Sequence, residues 1–315
     1  MNRIDVVGIG NALVDIQAQV DEAFPQTVGF EKGIMTLVDD ERQAKVIEQL
    51  GGKPLHRCAG GSAANSIVGL AQLGGTGGFI GKVGEDEIGR FYSEDMRSLG
   101  ITTQCTPADV PTGTCAILIT PDAQRTMLTN LGAAGLIAKS DIDEDLIRSA
   151  KYVYVEGYLL TSPVGKEGAY HAMEVAKSAG VKVALTASDP FLINMIRDEI
   201  WDLIRGPVDL FFCNEEEAKS LTGCDDALQA GFKIHESAEN VALTLGDKGS
   251  LLMHKSEGIP IEGVAVDAID TTGAGDMYAG ALLYGITNGM TWQNAGKLAS
   301  RKSAEVVAQM GPRLP

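Results

Sequence analysis

Residues 181–214 read VKVALTASDPFLINMIRDEIWDLIRGPVDLFFCN. Two apolar strands, Val181–Thr186 and Val208–Cys213, bracket a helical stretch near 191–204. Working outward, the same unit recurs, with strands at Tyr152–Glu156 and Val241–Leu245 and helices near 163–179, 214–221 and 225–236. Repeated strand–helix units imply a parallel sheet covered on both faces, with right-handed crossovers. Ligands of such sheets bind at the carboxyl ends of the strands. If these strands are all parallel, Asn11, Glu156, Asn214, Thr244-Leu245-Gly246 and the loop 270–276 share one edge.

That loop, Asp270-Thr271-Thr272-Gly273-Ala274-Gly275-Asp276, opens an apolar helix running to about Ile286. A first turn of Gly273, Ala274 and Gly275 carries almost no side chain. Its free N–H groups and the positive end of the helix dipole make an anion site that a phosphate can approach closely. Asp276 has two readings. It complements the dipole, or it accepts the proton of a hydroxyl while the amides neutralise a phosphoryl group in transit.

Toward the N-terminus, Ile4–Val7 reads as a buried strand ending at Gly8-Ile9-Gly10-Asn11-Ala12-Leu13. This imitates a dinucleotide fingerprint, but Leu13 replaces the third glycine and no helical pattern follows, which argues against an oxidoreductase. Val14–Val20 alternates as a half-exposed strand, placing Asn11 and Asp15 at the mouth of the first strand. There they either hydrogen-bond a polyol or serve as turn residues. Gly33–Val38 is a short strand, and Asp39-Asp40-Glu41 starts a helix to about Leu50. Gly60 and Gly61 precede a helix with Ile67, Val68, Leu70, Ala71 and Leu73 at helical spacing; glycine lets a ligand lie against backbone, and Asn65 projects from the first turn. Gly77–Val83 fails as a P-loop, since Thr76 and Val83 stand where glycine and Ser/Thr are required. A helix over Glu85–Leu99 is expected to bury Ile88, Phe91, Met96 and Leu99.

Thr112–Thr120, a turn at Pro121–Gln124, and Arg125–Asn130 form a hairpin that breaks the β/α rhythm. With the two early strands it is expected to make a small antiparallel sheet outside the main one. Arg125, just past the turn, can reach a ligand phosphate bidentately or stay in solvent. Asp141-x-x-Glu144 has the spacing of a capping box. Asn214-Glu215-Glu216-Glu217 has it too, or Glu217 supplies a carboxylate for Mg²⁺-bound water. The turn Thr244-Leu245-Gly246-Asp247-Lys248-Gly249 either touches a nucleotide with its amides or is a plain hairpin.

The net charge of −16 argues against nucleic-acid or anionic-membrane partners. An odd set of five cysteines without Cys-x-x-Cys fits a reduced, cytoplasmic protein. The first residues resemble neither a signal peptide nor a membrane span, and four scattered histidines make a zinc site unexpected.

Together, Gly60-Gly61-Ser62-Ala63-Ala64-Asn65 and Asp270–Asp276 resemble the two signatures of the ribokinase-like (PfkB) carbohydrate and nucleoside kinase family. Asn214-x-x-Glu217 and Thr244-Leu245-Gly246-x-x-Gly249 match two further family motifs in the right order. The resemblance implies an α/β fold, a three-layer α/β/α sandwich with a mostly parallel central sheet and a small β-sheet lid. It implies a large ATP-binding domain from residues 1–11, 41–103 and 134–315, and a lid from 12–40 and 104–133. ATP is the implied donor and Mg²⁺ the cofactor. Asp276 resembles the family's base, and Gly273, Ala274 and Gly275 its anion hole; Arg125, from its place in the hairpin, is expected to come from the lid and meet the transferring phosphate. Asn11, Asp15, Met35, Gly61 and Asn65 fall on the acceptor side, and Asn214, Thr244, Gly246 and Gly249 on the nucleotide side. Glu217 is implied for Mg²⁺, through water, and Asp270 for a monovalent cation, K⁺.

Arg125–Ala134, Ser188-Asp189-Pro190-Phe191 and Gly10–Ile16 resemble stretches of the family's adenosine kinases. The implied acceptor is therefore a nucleoside, adenosine first, phosphorylated at its 5′-hydroxyl. Asp189 before Pro190 resembles sugar-kinase relatives, and Met35 stands where a polar base contact is expected; guanosine, inosine or a broad nucleoside preference is therefore open, and a sugar kinase acting on ribose, fructose or a keto-deoxy sugar acid is the second reading. A non-catalytic nucleotide or sugar sensor is the third reading. The chain is expected as a monomer or homodimer with a small-molecule substrate.

Overall fold

The computed structural model describes residues 4–314; the outermost residues of the two implied domain ends, 1–3 and 315, lie outside them. The chain opens with β1 (Ile4–Ile9), β2 (Leu13–Gln19), α1 (Phe24–Thr27), β3 (Met35–Leu37), α2 (Asp40–Gln49), β4 (His56–Gly60) and α3 (Ser62–Gln72). It continues with β5 (Gly77–Gly84), α4 (Glu87–Ser98), β6 (Thr102–Ala108), β7 (Thr112–Ile119), β8 (Arg125–Gly132), α5 (Glu144–Arg148) and β9 (Ala150–Glu156). Then come α6 (Pro163–Ser178), β10 (Lys182–Thr186), α7 (Pro190–Arg205), β11 (Leu210–Asn214), α8 (Glu215–Thr222), α9 (Ala227–His235) and β12 (Asn240–Thr244). The remainder is β13 (Gly249–His254), β14 (Glu257–Glu262), α10 (Ala274–Thr287) and α11 (Trp292–Val307).

Nine strands form the main sheet in the order β14-β13-β12-β11-β10-β9-β1-β5-β6. From β6 to β12 every pairing is parallel; β13 and β14 turn back antiparallel at one edge. Strands of this kind are apolar on both faces because helices cover both. Along β1, Val7 and Ile9 enter the core under α6–α9, while Val6 enters the one under α3, α10 and α11. The architecture is thus a three-layer α/β/α sandwich. Since β1 and β9–β12 all run parallel, Asn11, Glu156, Asn214 and Thr244 do lie at one edge.

The second sheet has five strands in the order β3-β8-β7-β2-β4. It is mixed rather than antiparallel, because β2 runs parallel to β7 and β3 parallel to β8. Its strand β4 lies within the span expected in the large domain, whereas β6, expected in the lid from residue 104, pairs with β5 in the main sheet. Helix α2 also belongs with the small sheet: Val46 and Leu50 pack on Ala116, Leu118 and Leu128, and Gln43 donates to the carbonyls of Thr114 and Leu128.

Two local expectations change. Helix α4 buries Tyr92 and Met96 but leaves Ile88 and Phe91 substantially exposed: the Tyr92 ring packs on Phe79, with centroids 6.0 Å apart, and its hydroxyl reaches the Gly60 carbonyl at 3.3 Å. Helix α5 is capped by Asp143, which accepts from Leu146 N–H; Asp141 instead holds Lys82, Thr106 and the Ala138 amide.

Candidate active site

Helix α10 begins at the left-handed Gly273 (φ +75°), and its first ladder bond runs from Met277 N–H to the Gly273 carbonyl at 2.8 Å. The Gly275 and Asp276 amides precede that bond and belong to the unpaired first turn. A side chain at Gly275 would meet open space, so the way to these amides is clear. This is the geometry of an anion-binding helix terminus.

Helix α3 brings a second N-terminus to the same place. Asp276 Oδ1 accepts from Ser62 Oγ at 2.7 Å and Oδ2 from Asn65 Nδ2 at 3.1 Å. Burial raises the Asp276 carboxyl above the usual range, opposed by these two bonds and by the Arg125 charge. Asn65 is buried, and with Nδ2 given to Asp276 its Oδ1 has no partner among the described residues. An orphaned buried acceptor costs about 1–3 kcal/mol. A ligand hydroxyl beside Asp276 would satisfy it.

Gly61, ahead of α3, holds φ +96°, and a Cβ there would lie 2.1 Å from the Asn11 carbonyl oxygen. Asn11 is buried and donates through Nδ2 to Glu156 Oε1 at 2.7 Å; Glu156 Oε2 accepts from Ala63 N–H at 3.0 Å. Glu156 thus joins the end of β1 to the start of α3. Burial raises its carboxyl to about 7. Asp15 is also buried and raised to about 7, by burial first and then by the Asp276 charge. Met35 lies on the small sheet, in register with Met127.

A cavity of about 690 Å³ opens beside Asp276. Arg125, Gly273–Gly275, Asn214, Glu217, Thr244, Gly246 and Gly249 all line it. Arg125 crosses from β8 and donates from Nη1 to the Thr271 carbonyl at 3.3 Å. Asn214 and Glu217 form a full capping box: Asn214 Oδ1 accepts from Glu217 N–H, while the Glu217 carboxylate accepts from Asn214 N–H and Nδ2. Burial lifts the Glu217 carboxyl to about 7. One cavity-lining carboxylate is the kind of donor that holds Mg²⁺ through water once phosphates supply the other oxygens. Asp270 is fully buried, and its two oxygens accept from Thr272 and Gly311 N–H, each at 2.8 Å. These two bonds fix the side chain against the backbone.

The model of the pfkB family of carbohydrate kinases matches residues 35–315. The chain belongs to that family. This pfkB-family kinase superposes on a probable sugar kinase from Rhizobium etli CFN 42 with TM-score 0.95 and 34% identity, covering 100% of this chain and 96% of that one. It superposes on adenosine kinase from Sinorhizobium meliloti with TM-score 0.93 and 34% identity, covering 99% and 96%. It is 32% identical to probable fructokinase-4 from Arabidopsis thaliana over 72% of each chain. It is an ATP-dependent phosphotransferase acting on a nucleoside or a sugar.

Of the site residues expected from sequence, the folded kinase brings Asp276, Gly273–Gly275, Arg125, Asn214, Glu217, Thr244, Gly246 and Gly249 to one cavity. Asn11, Asp15, Gly61 and Asn65 adjoin it through α3 and β2, whereas Met35 stands farther along the small sheet. Two residues went unassigned. Ser62 lies within Gly60-Gly61-Ser62-Ala63-Ala64-Asn65, and its bond to Asp276 spans 214 positions. Glu156 was placed at the sheet edge only; an acid ending an apolar strand was the available signal.

Proposed function

We propose that this kinase transfers the γ-phosphate of ATP to the 5′-hydroxyl of a nucleoside, adenosine first. One observation carries the choice of acceptor. A row across the small sheet runs Asp15, Cys115, Thr129, Leu37, and the next row runs Gln17, Ile117, Met127, Met35. Register puts both rows on one face. That face is polar at the Asp15 end and apolar at the β3 end, where Leu37 is 55% exposed. The two ends of the first row are roughly 14 Å apart, three strand spacings. A nucleoside has this polarity, with ribose hydroxyls at one end and a flat apolar base at the other. A free sugar is polar all round and leaves the apolar end unused. In this reading Asn11 and Asp15 hold the ribose, and Asn65 Oδ1 accepts from an acceptor hydroxyl.

In the same reading Asp276 takes the proton late, as the new oxygen–phosphorus bond forms, because an alcohol is far less acidic than a carboxylic acid. Amides of the α10 first turn and Arg125 neutralise the phosphoryl oxygens. Asn214, Thr244, Gly246 and Gly249 flank the nucleotide. Glu217 would hold Mg²⁺ through water, and the ion would offset phosphate charge. The sugar-kinase reading is kept alive by the identity to probable fructokinase-4.

A coupled ATP-consumption assay over ribosides and free sugars tests the acceptor. Adenosine or another nucleoside should show the highest kcat/KM. A free sugar ahead of every nucleoside by about tenfold, or 1.4 kcal/mol of transition-state preference, would end the nucleoside reading and leave the kinase intact. Arg125→Lys tests the cross-cavity arginine. Its kcat should fall about tenfold or more while ATP Kd moves less, because a point charge cannot replace a planar fork. Equal losses in both would place Arg125 in ground-state ATP binding.

A further inference from the structure

Three consecutive residues near the end of the described chain touch both halves of the site. Gly311 donates its N–H to Asp270, at the head of the anion-binding loop. Pro312 lies against Gly273: a Cβ built there would be 2.4 Å from the proline ring. Arg313 donates from Nη2 to the Ala59 carbonyl at 2.8 Å and to the Asp95 carboxylate. Asp95 in turn accepts from Ala59 N–H at 3.0 Å, and Tyr92 from the same helix donates to the Gly60 carbonyl. Both polar groups of the Ala59 backbone are therefore gripped. Residues 59–61 lead directly into Ser62 and Asn65, the two partners of Asp276.

We infer that Arg313 is a positioning residue for phosphoryl transfer: with Asp95 it pins residues 59–61 at a set distance from the anion-binding loop, so that Ser62 and Asn65 meet Asp276. The inference rests on the reading of Asp15, Gly61 and Asn65 as the acceptor side. Stability alone is a poor explanation of the cluster. Half-buried ion pairs contribute little net stability. Arg313 Nε is moreover buried without an acceptor among the described residues, which costs free energy. The guanidinium also bears on Asp15. Its charge and that of Arg125 hold the Asp15 carboxyl down, against burial and the charges of Asp276 and Asp270; the thiols of Cys58 and Cys115 flank it in register.

The test compares Arg313→Gln, Arg313→Lys and Asp95→Asn with wild type, on whichever acceptor wild type turns over fastest. For Arg313→Gln, kcat/KM for the acceptor should fall about tenfold to a hundredfold, the scale of a misplaced reacting group. ATP Kd should stay within about twofold, since the cavity-lining residues are untouched. The acid limb of acceptor kcat/KM should move to higher pH, because removing a cation raises the Asp15 carboxyl further. Arg313→Lys keeps the charge, so the limb should stay while the efficiency still drops. Asp95→Asn keeps an acceptor for Ala59 N–H and should lose least. A lowered Tm with wild-type kcat, acceptor KM and pH profile, measured well below that Tm, would overturn the inference. Should Arg313→Gln fail to fold, unchanged acceptor kcat/KM in Arg313→Lys would overturn it equally. Wild type preferring a sugar would alter the acceptor's identity and leave this comparison valid.

Discussion

Asp276→Asn should reduce kcat by at least about a thousandfold, the upper range for one acid–base group with lost alignment added. The physical reason is local. Asp276 accepts from Ser62 and Asn65 at once. An asparagine can keep both neighbours, its Oδ1 accepting from Asn65 Nδ2 and its N–H₂ donating to the Ser62 hydroxyl, but it carries no charge and takes up no proton. Ser62 and Asn65 can therefore stay in place, and the loss falls on the proton transfer and on the missing carboxylate charge. Acceptor and ATP Kd should move little, because neither the α10 amides nor the sheet face changes. The pH profile adds a second reading. Burial raises the Asp276 carboxyl, so wild-type kcat should fall as the pH drops through that raised value. The residual rate of the variant should lack this limb. Turnover near wild type, with an intact Tm, would remove Asp276 from the chemistry.

Gly61→Ala should cut acceptor kcat/KM about a hundredfold. No L side chain settles at φ +96°, ψ 138°, and the new methyl would lie 2.1 Å from the Asn11 carbonyl oxygen. Backbone strain of this kind costs about 1–3 kcal/mol. The clash relaxes by parting the start of α3 from the Asn11 loop at the end of β1. That motion breaks the Glu156 link to Ala63 and draws Ser62 and Asn65 off Asp276. ATP affinity should survive, since the cavity beyond Asp276 is lined by other elements. Calorimetric ATP binding with steady-state kinetics would separate the two halves. Wild-type acceptor efficiency in a folded Gly61→Ala protein would show that α3 need not meet β1 this closely.

The strongly negative chain shows how such a site is assembled from few cations. Among the described residues Arg125 is the arginine that lines the cavity, and backbone amides stand at the α10 terminus. Amides bring partial positive charge without a counter-ion and cost nothing to pre-orient.

What the sequence by itself determined is what local chemistry dictates. The alternation from Tyr152 to Leu245 was readable because parallel strands covered on both faces are apolar throughout and helices are not. The Gly273-Ala274-Gly275 turn was readable because bare amides need small residues. The Asn214 and Glu217 pair was readable as a cap because capping spans three positions. Tertiary structure alone decided the rest. Strand β4 and helix α2 joined the small sheet, and β6 left it, because pairing is set by partners far along the chain. The buried face of α4 turned toward Tyr92, whose ring has Phe79 to pack on and whose hydroxyl has Gly60 to bond. Arg313 meets Ala59 across 254 positions. No propensity or spacing carries that distance: a hydrogen bond forms where the packed core brings donor and acceptor together, and the core is a property of the whole fold.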